Sequence, residues 1–513
     1  MGKRTFAVQL LETGRGFSTF KIPFSAFLDQ DGLHPDISRL RSMKMVLLPQ
    51  RRDSREHVLV IRKLSLLREG IAMKPGKRTF AVKGAIVDDH NTPIQAQAIT
   101  LLDSHGIYPL KNLSVTFSEG GEFFLVHSVA QLPYRAEPER LEHIPGSIDC
   151  YLWIAMDGFQ TVCKGIKLKE GETNMGKLTL HRTTMSSTLR QVGPDLYDGE
   201  GNKVWLQGVC IDSLEWSATG DHILESTMVA LSDWHANVIR LPVKETFWFG
   251  REKWQHDGGK GYRQLIDRVV RLTSERGAYL VLDLHRFGAP GEEHVRFWKD
   301  AAAHFANHPA VIFELFNEPH GISWELWRDG GDLSDPRHRH KDENAAENNE
   351  QSKIRYCVGM QALVNAVRST GAKNVVIVGG LDWSYDLRGV MNGYALNDDS
   401  GNGIVYSSHV YPWKSDWNRF LVAAKKYPLF IGEVGCQPTP MPWQKHGTED
   451  PETWAPDMLG LIQKYRLHWT GFSFHPKCGP PMLKDWTYEP TPYWGRFVKE
   501  ALSGKIFELK RLR

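Results

Sequence analysis

Two glutamates stand where apolar runs end, and their side chains give the first indication of chemistry. Glu318 lies in "ELFNEPHG" and Glu433 in "FIGEVG". A single carboxyl after a strand is most often a solvated turn residue. Two carboxyls in one cleft can cleave a glycosidic bond, because one gives a proton to the leaving oxygen while the other meets the positive charge that develops at the anomeric carbon. The fold must therefore bring these distant residues together.

A change of pattern near residue 190 predicts how the fold does this. Apolar strand candidates there alternate with amphipathic helical stretches. In chain order the candidates are "VWLQGVCI", "ANVIRLPV", "YLVLDLH", "VIFELFNE", "NVVIVGG", "IVYSSHV", "PLFIGEVG" and "TGFSFHP". Eight such strands predict a (β/α)8 or TIM barrel, and a doubly wound open sheet is the alternative. In a barrel, Glu318 closes the fourth strand and Glu433 the seventh, so both face the mouth at the C-terminal strand ends.

Two β segments precede this predicted barrel domain, which we assign to residues 190–513. Residues 1–75 predict a partial β-sandwich, whose "FSTFKIPFSAFLDQDG" resembles the second half of a jelly-roll carbohydrate-binding module. A small structural domain without a sugar site is the alternative. Residues 76–183 carry "LSVTFSEGGEFFLV" and "MDGFQT" and resemble the transthyretin-like, carboxypeptidase-regulatory-like β-sandwich. We expect this second segment to act as a spacer or scaffold.

The composition argues against several kinds of partner. The 63 basic and 60 acidic residues leave a formal charge of +3, without the concentrated basic surface that binds nucleic acid. No stretch approaches the ~20 apolar residues of a membrane span, and residues 1–20 lack the apolar core of a signal peptide. The six cysteines have no metal-ligand spacing. We expect buried thiols, with a Cys150–Cys163 disulfide as the open alternative, and no nucleic acid, membrane, metal or cofactor.

An ordered set of motifs makes the expected chemistry specific. "IRLPV", "LDLH", "FNEP", "HVYPW" and "GEVG" together resemble glycoside hydrolase family 5, the cellulase family of retaining barrels, over about residues 191–505. The resemblance implies that Glu318 is the acid/base and Glu433 the nucleophile. No cofactor is needed, because proton transfer and covalent attack suffice.

The same resemblance implies supporting roles for other motif residues. Asn317 would bind the sugar 2-hydroxyl, and Arg240 would orient the nucleophile and keep it ionised. Tyr411 would donate a hydrogen bond to the same carboxylate. His285 and His409, each at a strand end, would line the cleft. A structural salt bridge for Arg240 and core packing for the histidines are the alternatives.

Aromatic residues after the strands predict an extended sugar cleft, because pyranose rings have apolar C–H faces that pack on aromatic rings. Four tryptophans follow predicted strands: Trp216, Trp248, Trp383 and Trp413. We expect Trp216, Trp383 and Trp413 to contact substrate. Asp382 is either a reader of sugar hydroxyls or a loop acid.

The sequence departs from the family pattern in two places. The eighth strand has "GFSFHPKCGP" where a tryptophan floor is usual, so Phe472 or Phe474 is predicted to supply a smaller floor. The charged stretch "WELWRDGGDLSDPRHRHKDENAAENNE" is an insertion after the fourth strand. We expect it to shape the cleft rim, and its His338 and His340 to be solvated rather than metal-bound.

These observations predict an extracellular retaining glycoside hydrolase that cuts β-1,4-glucan, or a related plant-cell-wall-type polysaccharide, internally. β-Mannanase, xyloglucanase and exo-acting β-glucosidase remain open, because loops decide specificity within one fold. An inactive carbohydrate-binding or scaffold protein is the alternative from another class.

Overall fold

The fold is described by a computed structural model that covers residues 77–118, 120–130, 133–134, 137–141, 146–334, 355–441, 444 and 447–513. The partial sandwich predicted for residues 1–75 lies outside these described residues. So do His338 and His340 of the charged insertion.

The first described unit is a β-sandwich. Its strands are β1 (Lys77–Val87), β2 (Ala98–Leu102), β3 (Leu113–Phe117), β4 (Glu122–Ala130), β5 (Pro133–Tyr134), β6 (Glu137–Leu141), β7 (Ser147–Ala155), β8 (Val162–Lys169) and β9 (Gly171–Thr179). One sheet has the order β3-β4-β1-β9 and the other β2-β7-β8, while β5 and β6 pair with each other. Phe80 and Val82 of β1 meet Leu152 and Ile154 of β7 in one core, since residues i and i+2 of a strand share a face.

The sandwich is docked on the barrel through the outer face of β7 and β8. Tyr151 and Trp153 on that face belong to the same hydrophobic cluster as the barrel core. The guanidinium of Arg268 lies 5.7 Å from the Trp153 ring centre. Beside them the Glu275 carboxylate accepts hydrogen bonds from the backbone N–H of Thr161 at 2.6 Å and from its hydroxyl at 3.1 Å. The two units therefore share a continuous interface of apolar packing and buried polar pairs.

Eight parallel strands close into the barrel that the sequence predicts. In order around it they are β13 (Gln207–Cys210), β14 (Val238–Val243), β15 (Tyr279–Leu284), β17 (Val311–Glu314), β21 (Val376–Gly379), β22 (Ile404–Val410), β23 (Leu429–Val434) and β24 (His468–Gly471). Closure is made by β13 against β24, with Gln207 opposite Trp469. Most of these strands are buried at every residue, because side chains fill the inside and helices cover the outside.

Helices follow the strands along the chain. They are α1 (Ile223–Ser232), α2 (Glu245–Trp248), α3 (Lys260–Ser274), α4 (Glu292–His304), α5 (Trp324–Asp329), α6 (Met360–Arg368), α7 (Leu381–Ser384), α8 (Asn418–Leu421), α9 (Pro451–Tyr465) and α10 (Gly495–Leu502), with a π-helical turn at Val390–Tyr394. Within the described ranges, none has the length and apolar character needed to span a bilayer.

Further short strands cover the base of the barrel and lie in the segments at its mouth. They are β10 (Arg190–Val192), β11 (Asp195–Tyr197), β12 (Lys203–Val204), β16 (Phe287–Gly288), β18 (Glu318–Pro319), β19 (Gly331–Asp332) and β20 (Tyr356–Cys357). At the base, Leu196 of β11 packs with Val238, Val281 and Phe430 from the early parts of barrel strands. The base is therefore apolar, and the polar interior lies toward the mouth.

Two predicted strand ends were wrong. The eighth strand ends at Gly471, so most of "TGFSFHP" follows it, and the Ser473 N–H donates to the Pro480 carbonyl in a loop. The fourth strand ends at Glu314, and Glu318 lies beyond it in β18, which pairs with β16. Glu318 therefore lies in the short β16–β18 pair at the mouth and not at the end of the barrel strand itself.

The Cys150–Cys163 disulfide is not formed, and both residues are buried free thiols. Cys150 lies opposite Ile166, whereas Cys163 lies opposite Trp153. Cys150 and Trp153 point to opposite faces of β7, since side chains alternate along a strand. One thiol therefore packs inside the sandwich and the other against the barrel, where a bond between them is geometrically excluded.

The docking of the sandwich gives a stability prediction. Glu275→Ala removes the acceptor of two buried Thr161 hydrogen bonds. We expect it to lower the free energy of unfolding by about 1.5–3 kcal/mol, the range for hydrogen bonds to charged groups. Urea unfolding followed by tryptophan fluorescence measures this.

The matched control is Glu172→Ala, because Glu172 pairs with Lys83 on an exposed face of the sandwich. We expect a change within about 0.5 kcal/mol there. Equal destabilisation by the two substitutions would contradict the proposed strength of the interface.

Candidate active site

The barrel strands carry ionisable side chains into the interior on the mouth side of the apolar base. Arg240 lies within β14, Asp283 within β15 and Glu314 at the end of β17. His409 and Glu433 lie near the ends of β22 and β23. All five are buried. Because parallel barrel strands end at one face, these groups converge below the mouth.

A single guanidinium connects most of them. The Nε of Arg240 donates to Glu314 Oε2 at 2.6 Å, and its Nη1 donates to Glu433 Oε1 at 2.9 Å. Its Nη2 donates to Asn317 Oδ1 at 2.7 Å and lies 3.0 Å from Asp283 Oδ2. A buried cation is stable only when opposite charges and hydrogen bonds compensate its desolvation. The network therefore fixes Arg240, and Arg240 in turn orients Glu433.

His409 lies between the two predicted catalytic acids. Its Nδ1 is 2.8 Å from Glu318 Oε1, to which it donates, and 3.6 Å from Glu433 Oε2. One oxygen of each glutamate and a ring nitrogen of His409 all lie within 4.8 Å of one another. Such a group could hold a metal ion, but the Arg240 guanidinium on Glu433 opposes a second cation there. The spacing fits direct attack by one carboxylate beside a proton donor.

Two further predicted residues complete the immediate surroundings of Glu433. The Tyr411 hydroxyl donates to Glu433 Oε2 at 2.6 Å. Asn317 accepts from Arg240 through its amide oxygen, and its amide nitrogen has no hydrogen-bond partner among the described residues. A buried amide without an acceptor is unfavourable, so this N–H is available to a ligand oxygen.

The two glutamates have opposite pKa shifts. Burial alone would raise the pKa of Glu433, but the charges of His409 and Arg240, with the Tyr411 hydrogen bond, lower it to about 2. Burial raises the pKa of Glu318, and repulsion from Glu433 adds to the rise, although the His409 hydrogen bond partly offsets it. Environment therefore makes Glu433 the ionised carboxylate and Glu318 the one that keeps its proton to higher pH.

Both predicted histidines are held as cations by the acids around them. Burial lowers the pKa of His409, but Glu433, Glu314 and Glu318 outweigh burial and raise it to about 9. Burial likewise opposes the charge on His285, but the hydrogen bond at 2.7 Å to Asp283 helps to raise its pKa to about 9. These side chains supply positive charge around the acids.

Trp216 and Trp383, predicted sugar platforms, both lie on mouth-side loops. Trp216 follows β13 and is 48% exposed. Trp383 follows β21, is 36% exposed, and stacks on His320 with ring centres 4.3 Å apart. The Lys414 ammonium lies 5.2 Å from the centre of the Trp383 ring. Exposed rings on supported loops are suited to stacking a ligand.

Trp413 lies parallel to Tyr411 with ring centres 4.5 Å apart. Phe472 contacts Tyr411 edge to face at 6.4 Å and packs in one cluster with Trp413, Cys210 and Cys478. Of the two candidate floor residues, Phe472 is therefore the one beside Tyr411, which donates to Glu433.

Phe474 and Trp248 do not line the cleft. Phe474 is 1% exposed and packs edge to face against Trp234 at 4.9 Å. It lies in the core because the eighth strand ends earlier than predicted. Trp248 is fully buried, and its indole N–H donates to Asp300 at 2.6 Å. Phe474 was therefore wrongly predicted to face substrate, and Trp248, one of the four tryptophans that follow predicted strands, belongs to the core.

Asp382 is engaged with cations of the protein. Its carboxylate oxygens lie 3.1 Å from Lys414 Nζ and 3.1 Å from Arg419 Nη1. These pairs hold the loop that carries Trp383. The geometry favours the loop-acid alternative over a reader of sugar hydroxyls.

Sequence reasoning missed several acids of the site: Asp283, Glu314, Asp212 and Glu215. Asp212 accepts from the Ser473 hydroxyl, and burial raises its pKa to about 6. Burial and the neighbouring Asp212 raise the pKa of Glu215 to about 8. The available signal was an acid inside an apolar strand, as in "VLDLH" and "VIFEL", and the run "CIDSLE" after the first strand.

Solved structures with a similar fold include the β-glucanase SdGluc5_26A from Saccharophagus degradans, with TM-score 0.48 and 23% identity. The similarity covers 63% of this chain and 94% of that one. The catalytic domain of endoglucanase Cel5A (E5) from Thermobifida fusca gives TM-score 0.44 and 20% identity, over 62% of this chain and 97% of that one.

The curated sequence relatives include two proteins named endoglucanase. Endoglucanase E-5 of Thermobifida fusca is 24% identical over 298 residues, covering 55% of this chain and 54% of the relative. An endoglucanase of Paenibacillus polymyxa is 25% identical over 293 residues, covering 48% of this chain and 65% of the relative. The chain thus spans between half and two thirds of the length of these curated relatives. Residues 197–478 match the family described as cellulase (glycosyl hydrolase family 5). Because that match covers more than half of the chain, the chain belongs to the cellulase family, glycosyl hydrolase family 5.

Proposed function

We propose that this protein is a retaining glycoside hydrolase that cuts β-1,4-glucan internally, with Glu433 as nucleophile and Glu318 as acid/base. The observation that carries the proposal is the approach of the two carboxylates, which have oxygens within 4.8 Å of each other. Retaining enzymes hold the pair ~5–5.5 Å apart, whereas inverting enzymes leave ~6.5 Å or more for a water molecule. The spacing supports direct attack and covalent capture of the sugar.

The opposite pKa shifts supply the two roles. Glu433, ionised through the nearby positive charges, attacks the anomeric carbon while protonated Glu318 gives its proton to the leaving oxygen. The bond from the anomeric carbon to the leaving oxygen breaks as the bond to Glu433 forms. Glu318, now a carboxylate, takes a proton from water in the second step, and that water releases the sugar with its original anomeric configuration.

The supporting residues act on these two steps. Arg240 and Tyr411 hold the Glu433 oxygens in position for attack through hydrogen bonds at 2.9 and 2.6 Å. The unpartnered amide N–H of Asn317 is proposed to bind the sugar 2-hydroxyl, an interaction that strengthens as charge develops in the transition state. His409 positions Glu318 through its Nδ1–H.

The substrate is proposed from the cleft and from the relatives. Exposed Trp216 and Trp383 on opposite loops suit a chain of pyranose rings, and the relatives named above are endoglucanases. A polymer substrate of the plant-cell-wall type implies an extracellular site of action. Release of reducing ends from barley glucan, carboxymethylcellulose, mannan and xyloglucan distinguishes the alternatives. Activity on mannan alone would overturn the glucanase assignment.

Trapping with a 2-fluoro cellobioside tests the nucleophile. We expect mass spectrometry of the digested protein to find the added sugar on the peptide that contains Glu433. Glu433→Ala should lose activity on every glycoside, because the covalent step is gone. The surface control Glu452→Ala, whose partner is Arg496, should retain it. A label on any other residue would refute the assignment.

Glu318→Ala gives a separate prediction. We expect kcat/KM on β-glucan to fall roughly 10²–10⁴-fold, the usual contribution of a general acid. With a dinitrophenyl cellobioside, whose leaving group needs no proton, the first step should survive and a glycosyl-enzyme should accumulate. Equal losses on both substrates would contradict the acid/base role.

The pH profile provides a further test. Activity needs Glu433 ionised and Glu318 protonated, so kcat/KM should rise through a pKa of about 2 and fall through the raised pKa of Glu318. His409 lowers the pKa of both acids. His409→Ala should therefore move both limbs of the profile to higher pH.

The control for this profile is His304→Ala, because His304 pairs with Asp267 on the helical exterior of the barrel. It should leave both limbs in place. An alkaline limb that stays fixed or moves to lower pH in His409→Ala would contradict the proposed role of His409.

A further inference from the structure

A row of ring contacts leads outward from the cleft. The rings of Trp216 and His475 pack edge to face with centres 5.7 Å apart, and the rings of His475 and Trp486 do so at 4.8 Å. Trp486 stacks on His222 at 4.3 Å with an angle of 23° between the rings. The stacked pair thus lies two ring contacts beyond Trp216.

All four rings lie on loops at the mouth. Trp216 and His222 belong to the loop between β13 and α1, and His475 and Trp486 belong to the loop that follows β24. These loops are neighbours because β13 pairs with β24. Around the closed barrel they lie across the mouth from the segments after β17 and β21, which carry Glu318 and Trp383. The row therefore extends the cleft away from Glu318 and Trp383.

Hydrogen bonds fix the middle of the row. The backbone N–H of Lys477 donates to His475 Nδ1 at 3.0 Å, so the ring proton lies on Nε2, which is 3.4 Å from Asp221 Oδ2. Burial lowers the pKa of His475, in keeping with this neutral form. Ser226 Oγ of α1 and Tyr488 OH of the loop after β24 also lie 3.1 Å apart. The row is therefore held in place before any ligand binds.

The outer end of the row has the composition of a sugar site. Trp486 is half-buried and His222 is exposed. Two carboxylates flank them: Glu225 Oε2 lies 3.2 Å from His222 Nδ1, and the Asp221 side chain is 52% exposed. Ring surface beside carboxylates suits a pyranose, whose C–H face packs on rings while its hydroxyls donate to acids.

We propose that Trp486 and His222 form a remote sugar-binding platform that holds a β-linked glucan chain beyond Trp216. This inference rests on the proposed function for the nature of its ligand, and it adds residues outside the motifs that define the family resemblance. It makes long chains better substrates than short ones, because only long chains reach both the reacting acids and the platform.

Binding is measured in a Glu433→Ala background, where the polymer is not consumed. Affinity electrophoresis in gels with soluble barley glucan compares Trp486→Ala and His222→Asn with that background. Asn tolerates the left-handed backbone of His222, φ 52°. We expect each change to raise the dissociation constant about three- to tenfold, the scale of one aromatic contact.

Kinetics of otherwise wild-type protein give the second readout. The ratio of kcat/KM for cellohexaose to that for an aryl cellobioside should fall about three- to tenfold in both variants. Tyr465→Ala is the matched control, because this exposed tyrosine ends α9 near the base of the barrel, where the chain enters β24. It should change neither readout.

Unchanged glucan binding and an unchanged ratio would overturn the platform. If Trp486→Ala lowers the melting temperature strongly, its binding result reflects unfolding and the test rests on His222→Asn. The exposed ring of His222 is not part of the core, so this substitution should leave the fold intact. If the wild type hydrolyses glucan and the variants bind it normally, the proposed platform is refuted while the proposed function stands. If glucan binding depends on Trp486 but the wild type does not hydrolyse glucan, the proposed function is refuted while the proposed platform stands.

Discussion

The guanidinium of Arg240, fully buried inside the barrel, contacts the carboxylates of Asp283, Glu314 and Glu433. One cation among three acids leaves excess negative charge among buried side chains. The structure compensates this charge with His285 and His409, which the acids hold protonated. Buried ions are tolerated only in such satisfied networks. The barrel strands that carry these groups are therefore held together by the same contacts that orient Glu433, the proposed nucleophile.

The network gives chemically identical glutamates different properties. Glu433 has two hydrogen-bond donors on its oxygens, Arg240 and Tyr411. Within the described part of the chain Glu318 accepts one, from His409, and it also experiences the negative charge of Glu433. The order of the two pKa values follows from this asymmetry. The His409 cation acts on both acids at once, because it lowers the pKa of each.

The β-sandwich is part of the same physical unit as the barrel. Its β7 strand is buried on both faces, one in its own core and the other against α1 and α3. The ring row that ends at His222 approaches this sandwich, since Glu225 of α1 lies beside Gly165 of β8. A chain held on the proposed platform would therefore leave the cleft toward the sandwich.

The alternation of apolar strands with amphipathic helices in the sequence determined the closed barrel, and the position of Glu318 and Glu433 after strands determined their convergence, because parallel barrel strands end at one face. The resemblance of the motifs to the family added Arg240, His409 and Tyr411. Other features needed long-range contacts. Phe474 and Trp248 entered the core, and buried acids such as Asp283 joined the site. A sequence places a residue on a strand, but burial and pKa depend on neighbours from other strands, and only the tertiary structure supplies those.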